Sequence, residues 1–378
     1  MSEVAILELR ARAQRLAPAA RRRSAPETVL RDVCGLQAQV LSAAALGLRA
    51  RSSGLRTRDV TVALNEDRSI VRTWLMRGTL HLVAADDLRW MLGVLGPVFA
   101  AGNQARHAEL GLDAELKHRG VTAIRRILAR SGPLTRYEIV DRLRSHGINL
   151  DPRTQAPIHL IAHAAFQGVL CLGPERDRDE PTYVLIDDWI DAKQEKSPKN
   201  PLGEFARRYF AAYGPASVDD LVGWSGLPVA SARSALAAAR ASLSEVTIGA
   251  RPAFIVKSRA VQLRDRAPSK PAIRLLPAFD TYLLGYRSRD LAVPVTLQRR
   301  LQRGGGWLHP AVVVNGRAVA AWSLKGMSQR GHVLVEPVEA LPANVSDLIA
   351  EEVADIGRFL DMDLRVDVQG YVLSNSRS

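Results

Sequence analysis

The sequence predicts an α+β chain in which helix-turn-helix units, each closed by a β-hairpin wing, precede a β-rich C-terminal region. An internal repeat is the first observation: residues 126–140 align without gaps on residues 208–222, with Arg, Ala, Gly, Pro and Val at matching places. In each copy Gly-Pro ends one helix. Thr135 or Ser217, with an acid three residues later, starts the next helix as a capping box.

Each copy of the repeat continues into a third helix, predicted at 157–167 and at 228–240, and closes with two short strands rich in β-branched residues. The strands are predicted at 169–172 with 183–186, and at 244–248 with 253–256. This order of elements is that of a winged helix.

The N-terminal segment shows the same order of predicted elements, with helices followed by a hairpin. Amphipathic periodicity predicts helices at 3–16, 26–33, 41–48 and 57–65, and a hairpin follows at 70–83 with Arg77-Gly78 at its turn. Beyond residue 260 the pattern changes to strands, including a strong hairpin signal at Asn315-Gly316. We therefore expect three winged-helix units, at 1–118, 119–198 and 199–260, and a C-terminal α+β region with a β-hairpin at 261–378.

The charge indicates the kind of partner. The 378 residues carry a formal net charge of +13, and the sequence pI is about 10.3. A basic balance of this size favours a polyanionic partner, nucleic acid first and an anionic membrane surface second. A solvated basic surface without a specific partner is the plainer alternative.

Several classes of site find little support. The two cysteines, Cys34 and Cys171, form neither a disulfide framework nor a zinc quartet, and we expect a cytoplasmic protein without a signal peptide or membrane span. His159 and His163 have metal-ligand spacing on one helix face, but no third ligand is evident nearby. We expect no metal and no cofactor.

Two glutamines stand out between helices, in the segment Gly35-Leu36-Gln37-Ala38-Gln39. Residues i and i+2 point to the same side of an extended segment but about 200° apart on a helix. Gly35 favours a break in the helix. If the segment is extended, Gln37 and Gln39 can hold one small target between them.

A second cluster lies at 279–289, where Asp280, Tyr286, Arg287 and Arg289 interleave acid, aromatic and arginine residues. Arginines beside aromatics suit a nucleic-acid groove. The alternative is that Asp280 pairs with its own arginines to hold a loop.

Three motifs occur in order: Leu36-Gln-Ala-Gln39, Trp74-Leu-Met-Arg-Gly-Thr-Leu-His81, and Leu276-Pro-Ala-Phe-Asp-Thr-Tyr-Leu-Leu-Gly-Tyr-Arg287. Together they resemble the winged-helix DNA glycosylases of the AlkZ type, which carry a Gln-hydrophobic-Gln motif. The similarity covers nearly the whole chain.

The resemblance implies a monofunctional DNA glycosylase that excises N7-alkylated purines. It also implies the unhooking of interstrand cross-links or bulky adducts, often as self-resistance to a DNA-alkylating natural product. By that resemblance Gln37 and Gln39 are the catalytic pair, and double-stranded DNA with alkylated purines is the partner of a monomeric protein. The candidate DNA contacts are Trp74, Arg77, Thr79, His81, Asp280, Tyr286, Arg287, Arg289, Asn315 and Arg317.

A non-catalytic winged-helix protein, either a regulator or an architectural protein, is the alternative. A regulator needs polar side chains on an exposed recognition helix. The helices at 158–166 and 231–239 are dominated by Ala, Leu and Ile and are expected to be buried. The Asn315-Gly316-Arg317 turn is a candidate minor-groove probe, and an ordinary sheet-edge hairpin is the alternative interpretation.

Overall fold

The fold is given by a computed structural model that describes residues 1–176, 180–191, 197–260, 271–302, 304, 306–327 and 329–369. The first 113 residues contain six α-helices and three strands. The helices are α1 (Glu3–Ala13), α2 (Pro26–Val33), α3 (Leu41–Arg51), α4 (Thr57–Asn65), α5 (Leu88–Ala101) and α6 (Gln104–Glu109). The strands are β1 (Leu36–Gln37), β2 (Ile70–Trp74) and β3 (Leu80–Ala84).

The next stretch contains α7 (Ala114–Ser131), β4 (Leu134–Thr135), α8 (Arg136–Leu143), α9 (Ala156–Phe166), β5 (Leu170–Arg176), β6 (Glu180–Leu185) and α10 (Ile186–Trp189). It is followed by α11 (Pro201–Tyr213), α12 (Val218–Ser225), α13 (Val229–Ala239), β7 (Leu243–Ile248), β8 (Arg251–Val256) and α14 (Lys257–Ala260). The order helix, strand, helix, helix, strand, strand therefore occurs at α2–β3 and again at α7–β6. At α11–β8 a single bridge, Ala216 with Phe254, takes the place of the first strand.

Both predicted capping boxes are confirmed. Thr135 accepts a hydrogen bond from the Glu138 amide, and Glu138 accepts one from the Thr135 amide. Ser217 and Asp220 make the same reciprocal pair at the start of α12. Two side chains thus satisfy amides at each helix start that would otherwise lack partners.

One six-stranded sheet spans the units α2–β3 and α7–β6, which we call the first and second repeats; α11–β8 is the third. Its strand order is β1-β3-β2-β5-β6-β4. The two hairpins meet where Arg72 of β2 pairs with Leu172 of β5. The third repeat has its own two-stranded sheet, β7-β8. The expected boundary near residue 118 therefore falls within a region whose two sides share a sheet.

The C-terminal region is built on a five-stranded sheet in the order β13-β12-β11-β10-β9. Its elements are β9 (Ile273–Leu276), α15 (Thr281–Leu284), α16 (Val295–Leu301), β10 (Ala311–Val314), β11 (Arg317–Met327), β12 (Arg330–Pro337), α17 (Ala343–Leu360) and β13 (Asp363–Val368). The overall mixture of helices and strands confirms the α+β prediction. Residues 261–270 and 370–378 of the expected region lie outside the described residues.

The C-terminal region is tied to α3 by buried charges. Arg49 of α3 donates to Glu352 and Asp355 of α17, both at 3.1 Å, and to the Leu275 carbonyl at 3.0 Å. Since α3 directly follows the Gln37–Gln39 segment, this network holds one flank of that segment against the C-terminal sheet.

The expectation that both Ala-rich helices are buried is correct for α9 and wrong for α13. In α13 only Ala232, Ala235 and Ala239 are buried, and residues such as Arg233 face solvent. Alanine is small and weakly hydrophobic, so an Ala-rich helix is compatible with either environment. In the described part of the chain no helix is both long enough and apolar enough to span a bilayer.

Candidate active site

A sharp backbone turn places the two glutamines. Helix α2 ends at Val33 and is followed by Cys34, with φ +58°, and Gly35, with φ +88°. Both residues have left-handed backbone conformations. A Cβ atom on Gly35 would lie 3.1 Å from Val83 Cγ1 and 3.2 Å from the Leu82 carbonyl oxygen. Only glycine fits both the torsion and the space, so the chain leaves α2 directly as a strand.

Of the two conformations left open for this segment, the structure shows the extended one as far as Gln37. Gln37 lies in β1 opposite His81 of β3, and the Ala38 amide donates to the Leu80 carbonyl at 2.7 Å. Gln39 follows in a bend just beyond the strand. Its side chain is exposed, whereas that of Gln37 is nearly buried.

Both glutamine carbonyl oxygens already accept a hydrogen bond. Gln37 Oε1 accepts from Arg77 Nη2 at 2.5 Å, and Gln39 Oε1 accepts from the Leu80 amide at 3.1 Å. Guanidinium and backbone N–H groups only donate, so these partners fix which side-chain atom is oxygen. Among the residues that the structure describes, the two amide nitrogens have no hydrogen-bond partner and are the donors that the pair can offer.

Arg77 joins the glutamine segment to the third repeat. Its backbone is left-handed, with φ +56°, and its Nη1 donates to the Trp224 carbonyl at 2.6 Å. A Cβ on Gly226 would come within 3.1 Å of Arg77 Cα, so glycine there permits the approach. Within the described ranges Arg77 has no acidic partner, and its pKa is lowered by burial and by the charge of Arg289.

A row of polar side chains crosses the sheet beside Gln37. His81 pairs with Gln37 on one side and with Thr73 on the other, so all three project from the same face. His81 is fully buried, and its Nδ1 contacts the Thr79 carbonyl oxygen at 2.9 Å. Burial, reinforced by the charge of Arg77, lowers the pKa of His81 to about 3. The ring is therefore neutral and unsuited to proton transfer near pH 7.

Several predicted DNA contacts prove to be internal. Trp74 is buried and stacks on Tyr183, with ring centroids 6.2 Å apart. Tyr286 is buried beneath the guanidinium of Arg10 and donates to the Tyr213 carbonyl. His81 and Tyr286 are therefore enclosed by the sheet and the aromatic core, whereas Trp74 also lines a surface pocket beside Arg77.

Asp280 follows the alternative interpretation, though with a different arginine. Its carboxylate is fully buried and accepts two hydrogen bonds from Arg51, at 2.7 and 2.8 Å. Neither Arg287 nor Arg289 is its partner. Sequence proximity suggested those two, but α15 directs the Asp280 side chain inward to cap its own first turn at Tyr282.

The Asn315-Gly316-Arg317 turn is enclosed on one side. Tyr282 donates to the Gly316 carbonyl at 2.7 Å, and a Cβ on Gly316 would lie 2.8 Å from the Leu7 carbonyl oxygen. Asn315 exchanges hydrogen bonds with Ala272. These contacts are those of a packed sheet hairpin, and only Arg317 is exposed. The groove-probe interpretation does not fit this packing.

The remaining candidates are accessible. Thr79 is half-buried in the β2–β3 turn and bonds the Met76 carbonyl. Arg287 is exposed and contacts Asp219 at 3.3 Å. Arg289 is half-buried, donates to the Leu283 carbonyl, and has no acidic partner within the part of the chain that the structure covers.

Comparison with known proteins identifies the family of the chain. Residues 30–359 match the family model described as DNA glycosylase AlkZ-like. The chain belongs to the AlkZ-like DNA glycosylase family.

A curated relative and a solved structure, both from Streptomyces sahachiroi, carry the same identification. An interstrand DNA cross-link repair glycosylase from Streptomyces sahachiroi is 30% identical over 305 residues, which cover 78% of this chain and 81% of the relative. The solved structure of Streptomyces sahachiroi DNA glycosylase AlkZ superposes with a TM-score of 0.82 at 27% identity, covering 97% of this chain and 99% of that one. The resemblance drawn from three motifs is therefore confirmed, and the chain is a DNA glycosylase.

One residue that contacts the glutamine segment of this AlkZ-like chain, Arg72, was not predicted from the sequence. Arg72 Nε donates to the Ala38 carbonyl at 2.9 Å, its Nη2 to the Gln39 carbonyl at 3.3 Å, and its Nη1 to Glu175 at 2.8 Å. It therefore holds the backbone of both residues that follow Gln37. Its place in an otherwise apolar strand was the available signal, since a charge at such a position needs a partner.

Three histidines of the AlkZ-like chain, His107, His159 and His163, form a cluster that lines one pocket with Arg77. His107 contacts His159 and His163 edge-on, at centroid distances of 5.4 and 6.2 Å. Burial lowers the pKa of His163 to about 4. No group of three or more His, Cys, Asp or Glu side chains suited to a metal occurs in the described ranges.

Proposed function

We propose that this chain is a monofunctional glycosylase that excises N7-alkylated purines from double-stranded DNA, with Gln37 and Gln39 as its catalytic pair. The observation that carries the proposal is the segment itself. A glycine-dependent turn and an arginine clamp hold two neutral amides at a strand end, one nearly buried and one exposed. We would not expect a solvated loop to be constrained in this way.

Glutamine does not titrate and cannot act as an ordinary general base. An N7-alkylpurine is already a cation and therefore a good leaving group. The C1′–N9 bond breaks with its electron pair going to the purine, and water adds to the oxocarbenium-like sugar and releases a proton to solvent. Amides can orient that water and stabilise the charge. They are too weak to release a normal base, so weak catalysis favours damaged nucleotides.

We propose that the three repeats are winged-helix units that hold the duplex by its phosphates. A net charge of +13 supplies the attraction, and Arg289, which has no acidic partner among the described residues, is a candidate phosphate contact. Arg77, Thr79, Arg287 and Arg317 are further candidates. Phosphate contacts fix the position of a duplex without reading its sequence, as a damage-directed enzyme requires.

The relative named for interstrand cross-link repair supports a wider substrate range. We propose that this chain also unhooks cross-links or bulky adducts, acting as a cytoplasmic monomer in self-resistance to a DNA-alkylating natural product. A cross-linked base cannot swing freely out of the duplex, so distortion of the backbone is the feature to be recognised.

The experiment is release of N7-methylguanine from duplex DNA under single-turnover conditions, with the native chain, Gln37→Ala and Gln39→Ala. We expect release by the native chain, a loss of about 100-fold or more in each variant, and unchanged DNA affinity. Absence of release from any alkylated duplex, with salt-sensitive DNA binding retained, would instead indicate a non-catalytic DNA-binding protein.

A further inference from the structure

The two glutamines of the segment differ in what their side-chain oxygens contact. Gln37 Oε1 accepts from a full cation, Arg77, at 2.5 Å. Gln39 Oε1 accepts from a neutral backbone amide at 3.1 Å. A charge-assisted hydrogen bond is the stronger of the two and withdraws more electron density from the oxygen that accepts it.

The charge on Arg77 is not neutralised locally. Its second hydrogen bond goes to the Trp224 carbonyl, and no carboxylate is paired with it in the ranges that the structure describes. Arg289 adds a second positive charge, which lowers the pKa of Arg77. An oxocarbenium-like sugar beside Gln37 Oε1 would be repelled by both cations.

Gln37 and Gln39 also differ in solvent exposure. Gln37 is 8% exposed and lies within a strand, whereas Gln39 is exposed in the bend beyond it. The carbonyl oxygen has two lone pairs, and within the described part of the chain Gln39 uses one of them, for the Leu80 amide. Gln39 can therefore accept from a water molecule at the surface where DNA would lie.

We propose that the two glutamines have different tasks. Gln39 holds the attacking water through its side-chain oxygen and faces the developing positive charge on the sugar. Gln37, fixed by Arg77, presents its amide hydrogens as donors toward the departing purine, whose ring nitrogens gain electron density as the C1′–N9 bond breaks. Arg77 is then a positioning residue that sets the orientation of the Gln37 amide.

This inference rests on the proposed function and is tested by two substitutions of equal size and charge. Gln39→Glu keeps an oxygen acceptor where the water lies. We expect it to retain release within about tenfold and to gain an acid limb below roughly pH 5, where the new carboxyl protonates. Gln37→Glu keeps the contact with Arg77 as an ion pair but has no amide hydrogens, so we expect release to fall about 100-fold at neutral pH.

Controls separate the explanations. Gln302→Glu makes the same charge change at an exposed position of the C-terminal region and should leave release unchanged. Thermal midpoints and DNA affinity of all variants exclude misfolding and lost binding. Equal loss in both glutamate variants, or an acid limb in Gln37→Glu with an inactive Gln39→Glu, would overturn the division of tasks. A native chain that releases no alkylpurine would overturn the proposed function itself.

Arg77→Lys and Arg77→Met provide a second measurement. If Arg77 positions Gln37, both variants should lower the single-turnover rate more than the DNA affinity, and Lys should restore part of the rate lost in Met. A change confined to DNA affinity would make Arg77 a phosphate contact only and would contradict its positioning role.

Discussion

Arg51 and Asp280 form a buried, two-point ion pair across 229 residues of sequence, with hydrogen bonds of 2.7 and 2.8 Å and no exposed surface on either side chain. Arg51 ends α3, and Asp280 caps α15. Arg51 also donates to Gln14, which in turn donates to the Ala212 carbonyl of α11. The pair therefore joins α3, the helix that follows the Gln37–Gln39 segment, to α15, and through Gln14 to α11.

Removing one partner of this pair should destabilise the protein strongly. Asp280→Ala leaves a buried guanidinium without its counter-charge, and we expect a loss of about 3–5 kcal/mol in the free energy of unfolding. Denaturant unfolding measures the change. Asp290→Ala, at an exposed position in the next loop, should stay within about 0.5 kcal/mol. A loss of similar size in both variants would contradict the importance of burial.

Two glycines provide a matched test of the turn before Gln37. Gly35→Ala forces a side chain into φ +88° against Val83 and Leu82. We expect a loss of about 1–3 kcal/mol in stability together with slower base release, because β1 must shift. Gly93→Ala, in the exposed interior of α5 with no atom within 4 Å of the new Cβ, should stabilise by about 0.5–1 kcal/mol. Calorimetry and single-turnover kinetics on the pair separate the two effects.

His81 should make folding stability depend on acidity. Its pKa is about 3 in the folded protein and about 6.5 when unfolded, so the unfolded chain binds more protons between these values. The stability contribution is therefore complete above pH 6.5 and is lost as the pH falls, by about 2 kcal/mol at pH 5. His81→Phe should unfold with a correspondingly weaker dependence between pH 8 and 5. An unchanged dependence would mean that other groups cause the acid sensitivity.

Arg72 should affect the rate of base release through its contacts with the backbone of Ala38 and Gln39. Arg72→Lys keeps the charge but cannot bind the Ala38 and Gln39 carbonyls together. We expect base release to slow by about 10–100-fold, because the two glutamines lose their spacing. Glu175→Gln, which leaves the Ala38 contact intact, should be much milder. Normal release by Arg72→Lys would show that the segment holds its shape without the clamp.

Local signals in the sequence were sufficient for most elements of the fold. Gly-Pro stops and capping boxes identified α8 and α12, and Asn315-Gly316 identified the β10–β11 hairpin. The two-residue strand β4 was not predicted, since two residues carry no periodicity. The shared six-stranded sheet also escaped, because pairing between Arg72 and Leu172 is a tertiary contact.

The sequence identified the candidate glutamines, but it did not predict the buried residues and ion pairs that surround them. Gly35 beside two glutamines was sufficient to favour a break in the helix, but not to decide between an extended and a helical segment. Whether Asp280 and Tyr286 face solvent or the core depends on which way one turn of α15 is packed. Aromatic residues between arginines are common to nucleic-acid grooves and to buried cores, and only Arg287 and Arg289 of that motif remain accessible. Arg51, the true partner of Asp280, lies too far away in sequence for any local rule to find.

Arg289 should report phosphate binding. Arg289 has no acidic partner in the described residues, so a phosphate of DNA could neutralise its positive charge. Arg289→Gln should weaken binding to undamaged duplex and reduce the slope of log affinity against log salt by about 0.9. Arg358→Gln, whose guanidinium is held by Asp355 and the Leu55 carbonyl, should leave the slope unchanged. Fluorescence anisotropy across a salt series measures both, and equal slopes for Arg289→Gln and the native chain would remove Arg289 from the DNA interface.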